Sequence, residues 1–246
     1  MKIAWERHGA GPSLLLIHGL GYARWGWEPV VEPLARSFDV LLFDNRGIGE
    51  SDAPPGPYTV TQLAEDAVQV LDEAGVERAH VVGTSLGGMV AQELALGWPE
   101  RVERLVLAAT TPGGAKAFPM PRRTVELMQA RASLREYVEN ALEPDARPEV
   151  VDRILEHRER TAQPFDAWAA QAAAGASFDA HDRLGALAAP TLVQHGDGDL
   201  VVDPRNADLL AAAIPDARVS VYAGAGHLFM WQEPDRFTRE LEEFLC

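Results

Sequence analysis

The chain has 246 residues, 47% hydrophobic and 24% charged, and its 37 acidic against 22 basic residues give a formal net charge of −15. That balance argues against nucleic acid and anionic membranes as partners, and a chain of this length buries enough surface to need no disulfide or metal staple. Cys246 stands alone, the N-terminus lacks the long apolar run of a signal peptide, and no stretch approaches the roughly 18 apolar residues of a membrane span, so the expectation is a cytoplasmic protein.

In chain order, short β-rich runs alternate with longer helical patterns. A weak strand is predicted at Lys2–Arg7 and an apolar one at Ser13–Ile17, followed by a helix over Trp27–Arg36 and a strand at Asp39–Phe43. The next helix, Thr59–Ala74, opens on a capping box formed by Thr59 and Gln62 and stops before Gly75. Strand Ala79–Gly83 runs into helix Leu86–Gly97, and strand Arg104–Ala108 follows. Between Pro112 and Arg183 no strand pattern occurs, only Ala-, Arg- and Glu-rich helical stretches punctuated by prolines. The rhythm resumes with strand Thr191–Gln194, helix Arg205–Ala213, strand Arg218–Tyr222 and helix Pro234–Leu245. Such alternation predicts an α/β fold, a mostly parallel sheet with helices on both faces. Residues 1–112 and 184–246 then form the core, and residues 113–183 are a helical cap (lid). The alternative is a set of extra crossover helices with no part in a site.

The strongest local signal is Val81-Val82-Gly83-Thr84-Ser85-Leu86-Gly87-Gly88-Met89, a strand joined to a helix through Gly-x-Ser-x-Gly. A bare Gly-x-Ser-x-Gly arises by chance in roughly one chain in ten of this length, so the flanking strand and helix carry the weight. In such a turn the positions two before and two after the serine nearly touch, and the serine hydroxyl is lifted above the sheet. The backbone N–H of Leu86 then faces a developing oxyanion.

A serine hydroxyl needs a base. Of the seven histidines, His227, in Gly224-Ala225-Gly226-His227 after the last strand, is the candidate; His157 reads as part of a solvated helix face, and His18 and His80 as structural. The acid that orients the base lies among Asp197, Asp199 and Asp203, which spacing alone leaves open; Asp203-Pro204 also reads as a helix cap. A second oxyanion donor is the N–H of Leu20, in His18-Gly19-Leu20-Gly21 after the first apolar strand. Candidate pocket residues are Gly19, Tyr22, Trp25, Trp168, Leu228 and Trp231, with Met89 and Phe229 further possibilities and Trp27 assigned to the core. No clustered metal ligands and no dinucleotide fingerprint occur, so no metal or organic cofactor is expected.

With these residues in place, the chain resembles the α/β-hydrolase superfamily over nearly its whole length. The resemblance rests on His18-Gly19-Leu20-Gly21, Asp44-Asn45-Arg46-Gly47-Ile48-Gly49-Glu50-Ser51-Asp52, Gly83-Thr84-Ser85-Leu86-Gly87-Gly88, Gly196-Asp197-Gly198-Asp199 and Gly226-His227. The family's Gly-x-x-Asp pattern falls on Gly196 to Asp199, which selects Asp199 as the acid. The resemblance makes Asp44 and Arg46 structural and implies a sheet of seven or eight strands, seven if only one strand precedes Ser13. Within the superfamily the chain is similar to small bacterial carboxylesterases, 3-oxoadipate enol-lactonases and cofactor-free perhydrolase/haloperoxidase-like enzymes. Serine at the nucleophile position speaks against dehalogenases and epoxide hydrolases, which carry Asp there; Thr84 departs from the many relatives with His before the serine.

The expected activity is hydrolysis of a small-molecule carboxylic ester. Enol-lactone hydrolysis would want a cation in the pocket, for which Arg122, Arg123 or Arg131 are candidates, and carbon–carbon bond hydrolysis is a further alternative. A receptor that keeps the fold without turnover is the reading from outside enzymology.

Overall fold

A computed structural model describes residues 1–246. Seven strands, β1 (Trp5–Gly9), β2 (Ser13–Ile17), β3 (Asp39–Phe43), β4 (Ala79–Thr84), β5 (Val102–Ala108), β6 (Thr191–Gly196) and β7 (Ala217–Tyr222), form one sheet in the order β1-β3-β2-β4-β5-β6-β7. Every neighbouring pair is parallel except β1 with β3. The helices are α1 (Glu28–Leu34), α2 (Val60–Glu73), α3 (Leu86–Gly97), α4 (Arg122–Ala130), α5 (Leu134–Asn140), α6 (Pro148–Arg160), α7 (Phe165–Ser177), α8 (Arg205–Ala213), α9 (Phe229–Gln232) and α10 (Pro234–Leu245). None is long and apolar enough to cross a membrane.

The central strands are apolar on both sides because both faces are covered. Leu15, Ile17, Leu41, Phe43, Val81, Leu105 and Leu107 pack toward α2, α3 and α8, and Leu14, Leu16, Val40, Leu42, Val82 and Val106 toward α1, α9 and α10. The period of two along each strand therefore divides one run of leucines and valines between two cores. Helix α2 begins as expected: Thr59 Oγ1 accepts from Gln62 N–H, and Gln62 Oε1 accepts from Thr59 N–H, both at 3.1 Å.

Among the boundaries that differ from expectation, two have a local cause. The first strand starts at Trp5, because Lys2 N–H and Ala4 N–H are taken by Asp52 and Ser51, both at 2.8 Å, instead of by a neighbouring strand. The helix expected over Trp27–Arg36 is a 3₁₀ turn at Arg24–Trp27 followed by the shorter α1, in which Pro29 stands in the first turn. The sequence pattern did not mark that switch.

From β2 the chain moves to β3 on one side, and then crosses back to place β4 on the other. The loops leaving the carboxyl ends of β2 and β4 therefore diverge, which opens a crevice at that end of the sheet. The loops after β6 and β7 meet the same end.

The segment between β5 and β6 holds α4 to α7. It is fastened to the core by a hydrogen bond from Gln171 to Arg46 O at 2.6 Å and one from Leu228 N–H to Ala141 O at 2.9 Å. A third comes from the Thr124 hydroxyl to Leu200 O. Arg46 itself forms a two-pronged ion pair with Asp66 at 2.6 and 2.7 Å, with both side chains largely withdrawn from water. Removing one partner of such a pair leaves a buried charge uncompensated. Asp66→Ala should therefore cost about 3–5 kcal/mol in urea unfolding, whereas Arg46→Met with Asp66→Leu should cost clearly less.

Candidate active site

The site is built on the turn from β4 to α3. A β-carbon added at Gly83 would lie 2.2 Å from Gly87 O, and one at Gly87 would lie 2.1 Å from Ile17 O, so only glycine fits at either position. Between them Ser85 is held at φ 56° and ψ −121°, a conformation costly for an L-residue. Its own N–H is anchored to Ala108 O at 3.0 Å, and its carbonyl accepts from the Thr110 hydroxyl at 2.7 Å. The glycine turn after β2 lies directly against it: a β-carbon at Gly19 would come within 3.3 Å of Ser85 Oγ.

The loops after β6 and β7 bring Asp199 and His227 together. Nδ1 of His227 lies 2.7 Å from Asp199 Oδ2. Asp199 is 2% exposed, and its other oxygen accepts from the N–H groups of Val201 at 2.7 Å and Val202 at 2.9 Å. Burial alone would raise the Asp199 pKa; the charge of His227 and the hydrogen bonds from His195 and His227 outweigh it and hold the carboxyl below its ordinary range. Asp197 accepts from Gly224 N–H at 2.6 Å, and Asp203 from Arg205 N–H at 3.0 Å, two residues on; the N-cap of α8 is Pro204, with no side-chain cap bond. The structure thus separates the three aspartates that spacing left open. In this resting geometry Ser85 Oγ and His227 are not hydrogen-bonded to each other; such contacts are often long before substrate binds.

Leu86 is the first residue of α3, so its N–H has no intrahelical acceptor. No backbone carbonyl takes the N–H of Leu20 either. Both amides flank Ser85 along the chain or across the Gly19 contact.

Of the predicted pocket residues, Tyr22, Trp25 and Trp231 form one aromatic cluster. Tyr22 stacks on His18 at 4.7 Å, Trp25 approaches Tyr22 at 4.9 Å, and Trp231 meets Trp25 edge-on at 6.3 Å while donating its indole N–H to Gly26 O at 2.8 Å. Leu228 is buried beside them, with its N–H on Ala141. Trp168 stands apart: its ring stacks on Phe165, which is 76% exposed. Trp27 is core, as expected.

Sequence reasoning missed two residues of α6. His157 is not on a solvated face; its ring stacks on Trp25 at 4.8 Å and its Nε2 lies 2.5 Å from Glu28. The guanidinium of Arg158 sits over Tyr22 at 5.1 Å and beside Gly21, where a β-carbon would meet it at 2.5 Å. Arg158 has no acidic partner within ion-pair distance, unlike Arg153 and Arg160 on the same helix. Burial pushes the Tyr22 phenol up while Arg158 pulls it down. The arginines weighed from sequence lie elsewhere: Arg122 is 92% exposed and paired with Glu126, and Arg123 and Arg131 are exposed. Only the amphipathic period of α6 hinted that His157 and Arg158 turn inward.

Comparison with known proteins follows the same lines. A family model described as the alpha/beta hydrolase fold matches residues 12–234. A RutD protein of Azorhizobium caulinodans, provisionally named a carbamate hydrolase, is 34% identical over 98% of this chain and 93% of its own length. The enol-lactonase of Burkholderia xenovorans LB400 superposes with a TM-score of 0.87 at 27% identity, covering 99% of this chain and 96% of that one. A thermophilic esterase from Thermogutta terrifontis gives a TM-score of 0.86 at 29% identity, covering 99% and 92%.

The strain at Ser85 is measurable apart from any activity. Glycine adopts a positive φ freely and alanine does not. Ser85→Gly should therefore be about 1–2 kcal/mol more stable than Ser85→Ala in urea titration; equal stabilities would show that the turn is relaxed.

Proposed function

The chain belongs to the α/β-hydrolase fold family, and from that premise we propose that it is a serine hydrolase acting on carboxylic esters through an acyl-enzyme. The observation that carries this reading is the 2.7 Å bond from His227 Nδ1 to a buried Asp199, on loops that end beside the strained turn of Ser85. Asp199 fixes the tautomer in which His227 Nε2 is free to accept a proton. His227 takes the proton of Ser85 Oγ as that oxygen bonds to the ester carbonyl carbon, and returns it to the departing alcohol as the ester C–O bond breaks. Water, deprotonated by the same imidazole, then attacks the acyl carbon, and His227 returns the proton to Ser85 Oγ as the acyl C–Oγ bond breaks and the acid leaves. The N–H groups of Leu20 and Leu86 stabilise the tetrahedral oxyanion, each worth about 3–4 kcal/mol. In this reading residues 113–183 are a cap, and His18, Tyr22 and Trp25 wall the entrance. His18 is held down to about 3, chiefly by burial and then by His227, so it competes for no proton.

Arg158 favours a second reading within the same chemistry: an ester or lactone that carries a carboxylate. An arginine beside Gly21 with no acid of its own, in a chain of net charge −15, is suited to receive one. The esterase and enol-lactonase likenesses support the two forms of the proposal equally.

A p-nitrophenyl ester series from acetate to palmitate should show turnover by the wild type that falls roughly 10⁴-fold or more in Ser85→Ala. Activity that survives the substitution would remove Ser85 from the mechanism. Arg158→Gln should raise KM for a succinate half-ester about tenfold or more and leave the neutral esters within about twofold. Equal effects on both classes would sink the carboxylate reading.

A further inference from the structure

Strand β6 ends by placing a second imidazole on Asp199. His195 is 1% exposed, and its Nε2 lies 3.0 Å from Asp199 Oδ2 and 3.2 Å from Val202 O. Both partners are acceptors, so Nε2 carries the proton and divides it between them. The same Oδ2 already receives Nδ1–H of His227 at 2.7 Å. One carboxylate oxygen thus serves two histidines, while the other serves two backbone amides.

From this geometry we infer that His195 is a positioning residue that locks the Asp199 carboxylate and sets the basicity of His227. The inference rests on the Ser85–His227–Asp199 reading above. Its logic is electrostatic. Each donor on Oδ2 withdraws part of the negative charge that would otherwise stabilise the His227 imidazolium. With His195 in place Asp199 therefore holds the His227 imidazolium less tightly. The bond to Val202 O ties the ring to the loop that carries Asp199, so the carboxylate plane cannot rotate away from His227. His195 itself reaches no reacting atom, because its proton-bearing nitrogen faces only these two oxygens.

The other titratable groups around the pair do not mimic this effect. His18, after β2, is the neighbour held down to about 3, and Arg158 of α6 acts on His18. Asp203, at the start of α8, is engaged by Arg205 at 2.6 Å, and Asp197 accepts from Gly224 N–H at 2.6 Å. Only His195 shares the oxygen that His227 uses.

The test is the pH dependence of kcat/KM on the best ester, for wild type, His195→Phe and His195→Gln. Phenylalanine keeps the bulk and loses the donor; glutamine offers an amide N–H near the position of Nε2. The acid limb should move to higher pH by about half to one unit in His195→Phe, because His227 becomes more basic. Plateau kcat should fall about tenfold in the same variant, the scale of one hydrogen bond to a charged group. His195→Gln should return the limb to its wild-type position. Coincident limbs in all three proteins would overturn the inference, since a merely structural role lowers activity without moving the limb. If His195→Phe does not fold, nitrogen-15 NMR of the wild-type histidines decides: His195 must be the Nε2–H tautomer throughout the active range, and an Nδ1–H tautomer overturns the role. Ser85→Ala and His227→Ala separate the two levels. Activity retained in either overturns the triad reading and this inference together, while activity lost in both with unmoved limbs overturns the role of His195 alone.

Discussion

The carboxyl end of the sheet is organised around a contact that no β-carbon can enter, where α3 meets the end of β2 with Gly87 against Ile17 O and Gly83 against Gly87 O. Because α3 is drawn this close, the turn between it and β4 has no room to relax, and Ser85 takes the positive φ that lifts its hydroxyl clear of the sheet. The same approach sets Gly19 against the serine side chain and leaves the amides of Leu20 and Leu86 without carbonyl partners around it. A steric constraint on two residues therefore fixes a hydroxyl, its strain and two free donors at once.

The second constraint is electrostatic. A carboxylate as buried as Asp199 persists as an anion only if its lone pairs are met, and here four donors meet them. Two are backbone amides that any residue could supply, and the other two are histidines. The amides fix where the carboxylate sits, and the histidines fix which way it faces. That division explains why Asp199, and neither Asp197 nor Asp203, lies at the centre: the other two are engaged by Gly224 N–H and by Arg205.

Local pattern made most of the scaffold legible before any coordinates. The buried strands read as continuous apolar runs because both faces are covered, the capping box at Thr59 announced α2, and the Gly-x-Ser-x-Gly turn announced itself through small residues beside a strand end. What stayed hidden depends on tertiary contact. His195 directly follows the strand expected at Thr191–Gln194, and nothing local marks it, because its partner comes from the Asp199 loop folded back over it. His157 and Arg158 lie in a run of charged residues that reads as solvated; beyond the period of α6, their partners emerge only when the helix is laid across Trp25 and Tyr22. The start of the first strand depended on Asp52 and Ser51, some 50 residues away, taking the N–H groups of Lys2 and Ala4.

These tertiary contacts also bear on how α4 to α7 relate to the core. Some of that segment's polar bonds reach the core away from these loops, with Arg153 and His157 on Glu28 of α1 and Thr161 on the indole N–H of Trp25. Two others fall on the loops that carry the site: the Thr124 hydroxyl on the carbonyl of Leu200, beside Asp199, and Ala141 on the N–H of Leu228, beside His227. Gln171 holds the carbonyl of Arg46, whose side chain pins α2 through Asp66. Each of the bonds to Leu200, Leu228 and Arg46 satisfies a backbone group that would otherwise be left without a protein partner, so displacing the segment would carry an energetic cost at the site itself. Through Thr124 and Ala141, helix α4 and the end of α5 are therefore tied to the loops that hold Asp199 and His227, and displacing them would load the geometry of that pair.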